Sequence, residues 1–283
     1  MAQLLKGLSV ANALTDVLAE RTAALNAKNI TPTLALLRVG ERPDDISYET
    51  GAIKRCARIG IAVRQFLLKA DCTAEELLNT IREINEDPSI HGCLMFRPLP
   101  DKAMEEAACA LLAPEKDVDC MTTASLAAVF TGKGAGYPPC TAQAVLELLD
   151  HYGIELSGKR VAVIGRSLVI GKPVSMMLQA RNATVTMCHT KTLNLAQTCR
   201  EAEILVVAAG KAGMVDGSFA APDQIIVDVG IHVNEEGKLC GDVLFDEAEP
   251  IVDAITPVPG GVGSVTTAVL AKHVIQAAEK TLL

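Results

Sequence analysis

Apolar and polar positions recur at helical spacing through residues 9–28, which predicts a helix closed by Asn29 as its C-terminal cap. Thr33 to Val39 (TLALLRV) is a short apolar run of strand length, ended by Gly40. Asp44 or Asp45 is positioned to cap a second helix that runs to Arg58 and stops at Gly60. A strand follows from Ala62 to Leu68. Thr73 with Glu76 forms a capping box that opens a helix to Asn85, and Pro88 ends that segment. Ile90 to Phe96 is a third strand, leading into the rigid turn Arg97-Pro98-Leu99-Pro100, and a helix covers roughly residues 103–112. Between Pro114 and Pro139 the pattern weakens, and residues 132–140 read as a connecting loop.

A helix from Thr141 to His151 opens a second series of strands near Val161, Val185, Ile204 and Ile225, then a glycine-rich turn at residues 258–263 and a final helix over 265–280. Strand–helix alternation at this spacing predicts parallel sheets with right-handed crossovers. The expected architecture is two α/β domains around a cleft. One spans residues 1–139 and is completed by the C-terminal helix, 265–283; the other, a Rossmann-like domain, spans 140–264. Ligands bind at the carboxyl ends of parallel strands.

Within the second series, Lys159 to Val174 (KRVAVIGRSLVIGKPV) joins an apolar strand to a glycine turn and a helix start. Such a turn offers backbone N–H groups and the helix dipole to an anion. Its spacing, G-x-S-x-x-x-G, departs from the dinucleotide fingerprint G-x-G-x-x-G. The next strand, Ala183 to Cys188, ends in His189, Thr190, Lys191 and Thr192 rather than in the Asp or Glu that holds a ribose 2′-hydroxyl. Hydroxyls and cations would receive a 2′-phosphate, and Arg166 could add its fork of donors, so the residues favour NADP over NAD.

Composition narrows the class. The 283 residues are 49% apolar, with three Tyr, five Phe and no Trp, an aliphatic make-up suited to parallel sheets. A net charge of −8 argues against nucleic acid and anionic membrane surfaces as partners. No apolar run approaches the length of a membrane span, and the N-terminal residues lack the layout of a signal peptide. Nine scattered cysteines without C-x-x-C, and histidines without ligand spacing, predict no disulfide frame and no metal site, in a reducing, cytoplasmic setting.

The motifs GRSLVIGKPV, TVTMCHTKT, ILVVAAGKAG, IVDVGI, GDV and ITPVPGGVGSVT, in this order, closely resemble the bifunctional FolD family, methylenetetrahydrofolate dehydrogenase/cyclohydrolase. LLRVG followed by Tyr48, HGCLMFRPLP, and PEKDVD ending at Asp119 extend the resemblance over nearly the whole chain. It implies an NADP site carrying Gly165, Arg166, Ser167, Thr190 and Ile231. It also implies a folate site with Tyr48, Asp119, Pro259, Gly260 and Gly261, and a homodimer. The family oxidises 5,10-methylenetetrahydrofolate with NADP and hydrolyses the methenyl product to 10-formyltetrahydrofolate.

The departures lie on the folate side. The family's catalytic Lys, four residues after the Tyr, is here Ala52, and its Gln before the Pro-Leu-Pro turn is Phe96. The Gly after the final Asp is Cys120, and a Pro-Met pair is Ser264-Val265. Hydride transfer needs alignment and a field tolerant of a developing cation, whereas hydrolysis needs water activated and protons relayed. Loss of the Lys should therefore damage the cyclohydrolase more than the dehydrogenase. Tyr48, Ala52, Arg55 and Cys56 share a helix face, Lys54 points elsewhere, and a guanidinium cannot act as a base. The expectation is an NADP-dependent dehydrogenase of methylenetetrahydrofolate or a close one-carbon carrier, with weak or lost cyclohydrolase. The alternatives are a full bifunctional enzyme, a silent NADP- and folate-binding protein, and an oxidoreductase on another substrate.

Overall fold

A computed structural model describes residues 2–282. The elements in chain order are β1 (Gln3–Leu4), α1 (Gly7–Asn26), β2 (Thr33–Val39), α2 (Pro43–Ile59), β3 (Ala62–Leu68), α3 (Ala74–Glu86), β4 (Gly92–Met95), α4 (Lys102–Leu111) and α5 (Thr123–Thr131). After them come α6 (Cys140–His151), β5 (Arg160–Ile164), α7 (Gly171–Ala180), β6 (Thr184–Cys188), α8 (Leu195–Arg200), β7 (Ile204–Val207) and β8 (Ile225–Asp228). A hairpin of β9 (His232–Val233) and β10 (Leu239–Cys240), then α9 (Phe245–Ala248), β11 (Ala254–Ile255) and α10 (Thr266–Lys280), complete the chain. The chain divides into two compact units, one of residues 1–12 with 141–266, the other of residues 13–140 with 267–283.

This division corrects the expected one at the N-terminus. The first twelve residues join the later unit because β1 pairs in parallel with β11, matching Gln3 to Ala254 and Leu4 to Ile255. So short a strand carries no periodicity of its own. The C-terminal residues, 267–283, cluster with residues 13–140.

The unit of residues 13–140 and 267–283 is built on a parallel three-stranded sheet, order β3-β2-β4. Every residue of central β2 is buried, as a strand covered on both faces must be. Leu37, Ile81, Ile84 and Met95 are among the core residues. The capping box at Thr73 and Glu76 forms as expected, and Gly60 ends α2 in the left-handed conformation. Asp44 and Asp45 do not cap α2: Arg42 occupies the cap, Pro43 sits in the first turn, and both carboxylates follow, favourably placed for the helix dipole. Residues 123–131, within the stretch where the sequence pattern weakens, form α5 between the Thr122 cap and left-handed Gly132.

The unit of residues 1–12 and 141–266 holds a six-stranded parallel sheet, order β1-β11-β8-β7-β5-β6. Strand order reverses at β5, which is flanked by β6 and β7; that reversal is where such sheets bind ligands. Among the described residues no helix is long and apolar enough to cross a membrane, all nine cysteines are free thiols, and no group of side chains could hold a metal ion.

α10 is tied down by a buried imidazole. His273, 2% exposed, donates from Nδ1 to the Val118 carbonyl at 2.9 Å, and the Tyr137 ring stacks on it at 5.2 Å. Burial pushes its pKa down to about 4. The folded state keeps this ring neutral while the unfolded chain protonates it below about pH 6.5. Its contribution is therefore intact above that pH and is lost as pH falls towards 4. Urea unfolding between pH 7 and 4.5 should show wild type losing on the order of 3 kcal/mol more than His273→Gln; parallel losses would contradict this.

Candidate active site

The glycine turn after β5 is fixed by steric contact. Gly165 has φ +124, and a Cβ there would lie 2.2 Å from the Ala208 carbonyl oxygen; a Cβ on Gly171 would lie 2.2 Å from the Gly165 carbonyl oxygen. Only glycine at both positions lets β5, the end of β7 and the start of α7 come this close. Ser167 Oγ accepts the Ile170 N–H at 3.1 Å and shapes the turn.

Around this turn lies a cavity of about 240 Å³ lined by the carboxyl ends of β5, β6 and β7, including Gly165, Arg166, Ser167, His189 and Thr190, with Ala208, Ala209 and Met214 opposite. No carboxylate lines it. The turn after β6 is held locally: Thr192 Oγ1 accepts the His189 N–H at 2.9 Å, and His189 Nδ1 accepts the Lys191 N–H at 3.1 Å. Four of the five expected cofactor residues are thus assembled in one cavity. The fifth, Ile231, is 58% exposed and lines a neighbouring cavity of about 200 Å³ with Pro259, Gly260 and Gly261, assigned on sequence to the folate.

Two buried carboxylates hold the loops around these cavities, and sequence reasoning assigned neither a role. Asp228 accepts from the Gly230, Asp242 and Val243 N–H groups, and Asp242 from those of Ala209, Gly210 and Lys211. Gly230 and Gly241 make room: a Cβ on the first would meet Asp242 Cγ at 2.5 Å, and on the second Asp228 Oδ2 at 1.9 Å. Burial, with Asp242 beside it, pushes the Asp228 pKa up to about 6 against three N–H donors that lower it. The available signal was the pairing of Asp with Gly in IVDVGI and GDV.

In the other unit, the buried stripe of α2 is Asp45, Glu49, Ala52, Cys56 and Ile59. Ala52 lies on it, 1% exposed, while Tyr48 stands at 36% exposure with its ring edge-on to Phe96 (6.2 Å, 76°). Lys54 is exposed, as expected, and Arg55 donates to Thr15 Oγ1 at 2.7 Å. Glu49 was not foreseen. It accepts from Arg38 Nε at 2.9 Å and Gln65 Nε2 at 2.7 Å, which pins α2 to β2 and β3. Asp119 accepts the Cys140 N–H through Oδ1 at 2.9 Å. Burial raises its pKa, opposed by that hydrogen bond and by the Arg97 guanidinium. Cys120, where the family has Gly, keeps the left-handed backbone (φ 59).

Comparison with known proteins finds matches for both halves of the chain. Residues 5–119 match the family model for the tetrahydrofolate dehydrogenase/cyclohydrolase catalytic domain, and residues 139–282 the model for its NAD(P)-binding domain. A protein of Clostridioides difficile named bifunctional protein FolD is 48% identical over 275 residues, 97% of this chain and 96% of its own. The crystal structure of a FolD methylenetetrahydrofolate dehydrogenase/cyclohydrolase from Campylobacter jejuni superposes with TM-score 0.95 at 35% identity, covering 99% of this chain and 100% of that one. A Trypanosoma brucei FolD complexed with NADP and an inhibitor gives TM-score 0.92 at 34% identity, covering 99% and 98%. With catalytic and NAD(P)-binding domains matched over nearly its full length, the chain belongs to the tetrahydrofolate dehydrogenase/cyclohydrolase family.

Proposed function

We propose that this protein oxidises 5,10-methylenetetrahydrofolate with NADP and hydrolyses the methenyl product. The observation that carries the cofactor reading is the cavity of Gly165, Arg166, Ser167, His189 and Thr190, which has donors and no carboxylate. Arg166 and Thr190 receive the 2′-phosphate, and the turn at Gly165 to Ser167 meets the adjoining anionic groups. NADP, when bound, accepts the hydride. On the substrate side, Tyr48, backed by Phe96, supplies an aromatic wall, and Asp119 accepts from donors on the pterin edge. Oxidation asks no side chain to move a proton, so the absence of an amine at position 52 leaves that step its essential groups.

For the second reaction, the bifunctional names of close relatives favour the two-activity reading over the expectation that cyclohydrolase is weakened or lost. Water activation then proceeds without an amine at 52. The nearby groups are restricted: Glu49 has both carboxylate oxygens engaged, and Arg55 stays a cation although burial lowers its pKa. The second reading, dehydrogenase with little hydrolysis, rests on one observation, the buried methyl group of Ala52.

Two measurements test these statements. Protein with NADP and methylenetetrahydrofolate should form NADPH while the methenyl species decays faster than its spontaneous hydrolysis; NADPH and methenyl accumulating together would establish the second reading, and no turnover would overturn both. Under the second reading Ala52→Lys raises the ratio of hydrolysis to oxidation, and under the first it leaves the ratio unchanged. Arg166→Ala should raise KM for NADP by roughly tenfold or more, the worth of a charge-assisted contact, and leave KM for NAD nearly unchanged. Equal effects on both cofactors would remove Arg166 from the 2′-phosphate.

A further inference from the structure

The loop Ala208 to Lys211 and the segment Ile231–His232 line or adjoin different cavities, yet both end on one side chain. Asp242 is fully buried. Its Oδ2 accepts from Ala209 N at 2.7 Å and Gly210 N at 3.0 Å, and its Oδ1 from Lys211 N at 2.9 Å. The same Oδ1 lies 2.7 Å from His232 Nε2. A carboxylate oxygen only accepts here, which assigns the proton to Nε2. Asp242 is itself anchored, because its N–H donates to Asp228 Oδ1 at 3.1 Å and its carbonyl accepts the Val215 N–H at 2.9 Å.

The geometry has a direction. Three consecutive N–H groups of the 209–211 loop turn inward to the carboxylate, while Ala208 and Ala209 form a wall of the cavity that holds Gly165, Arg166 and Thr190. His232 follows Ile231, whose Cδ1 lies 2.8 Å from where a Cβ on Gly263 would be, so this segment packs on the glycine-rich turn. One carboxylate therefore sets the positions of two walls. A neutral amide at 242 could not accept from all four donors, since one of its two ends is itself a donor.

We infer that Asp242 is a positioning residue for NADP, fixing the 209–211 loop directly and Ile231 through His232, so that both segments stand where the cofactor meets them. This rests on the NADP reading proposed above. His232 is the adjustable half of the device: its side chain is 24% exposed, whereas that of Asp242 is inaccessible. Glutamine at 232 can present a donor N–H near the Nε2 position; alanine cannot.

The test compares full-length wild type, Asp242→Asn, His232→Ala and His232→Gln by calorimetric NADP binding, steady-state KM for each substrate, and thermal unfolding. Asp242→Asn should weaken NADP binding by roughly tenfold, from loss of charge-assisted hydrogen bonds, with KM for methylenetetrahydrofolate within about twofold of wild type. His232→Ala should weaken NADP binding by roughly threefold and His232→Gln should recover most of that loss. If Asp242→Asn does not fold, the two His232 variants decide the matter. Equal NADP affinity in wild type and His232→Ala, equal loss in His232→Ala and His232→Gln, or proportional changes in both KM values would overturn the inference. Wild type failing to bind NADP would overturn the functional reading and this inference with it.

Discussion

A carbonyl oxygen of Ala208 stands where any side chain at position 165 would have to go, and much of the later unit follows from that contact. The parallel pairing of β5 with β7, Ile164 opposite Val207, brings the two strand ends together. Glycine at 165, and again at 171, lets the backbone turn from strand to helix without separating them. The turn then sits at the reversal of strand order, with its N–H groups beside Thr190 from the next strand. The cavity results from a close approach between main chains, and Arg166, Ser167 and Thr190 line it.

The earlier unit makes a different compromise. α2 lies against the sheet through a stripe that includes two carboxylates and an alanine, and the buried pair of Arg38 and Glu49 is expensive to desolvate. Its recompense is directional: with Gln65, it sets the rotation of the helix that carries Tyr48. Gly51 weakens α2 by about 1 kcal/mol relative to Ala, so an anchor two residues before it matters more than usual. Position 52 faces inward on this stripe, beside that anchor.

Much of this was legible in the sequence, for physical reasons that differ between elements. β2 was read with its full extent because Thr33 to Val39 is a mostly apolar stretch closed by Gly40, and β3 because Ala62 to Leu68 lies between Gly60 and the polar turn before Thr73. The helix from Ala74 announced itself through Thr73 and Glu76. The glycine turn was legible as a cluster because Gly165, Arg166 and Ser167 are contiguous and Thr190 follows the end of the adjacent strand. α5 was missed because, of its nine residues, only Ser125 is buried, which leaves no inward apolar stripe to detect. The roles of Asp228 and Asp242 were hidden because their partners are main-chain N–H groups, many of them distant in sequence. The tie between Arg38 and Glu49 joins two elements by charge, which periodicity does not register.

The pairing of Gln3 and Leu4 with Ala254 and Ile255 has a consequence for folding. Gln3 and Leu4 hydrogen-bond to a strand about 250 residues further along the chain, a sequence separation that slows closure. The unit of residues 13–140 also lacks its last helix until residues 267–283 are made. Each unit therefore draws on segments far apart in sequence, and a cut at residue 140 would yield two incomplete cores rather than one sound domain.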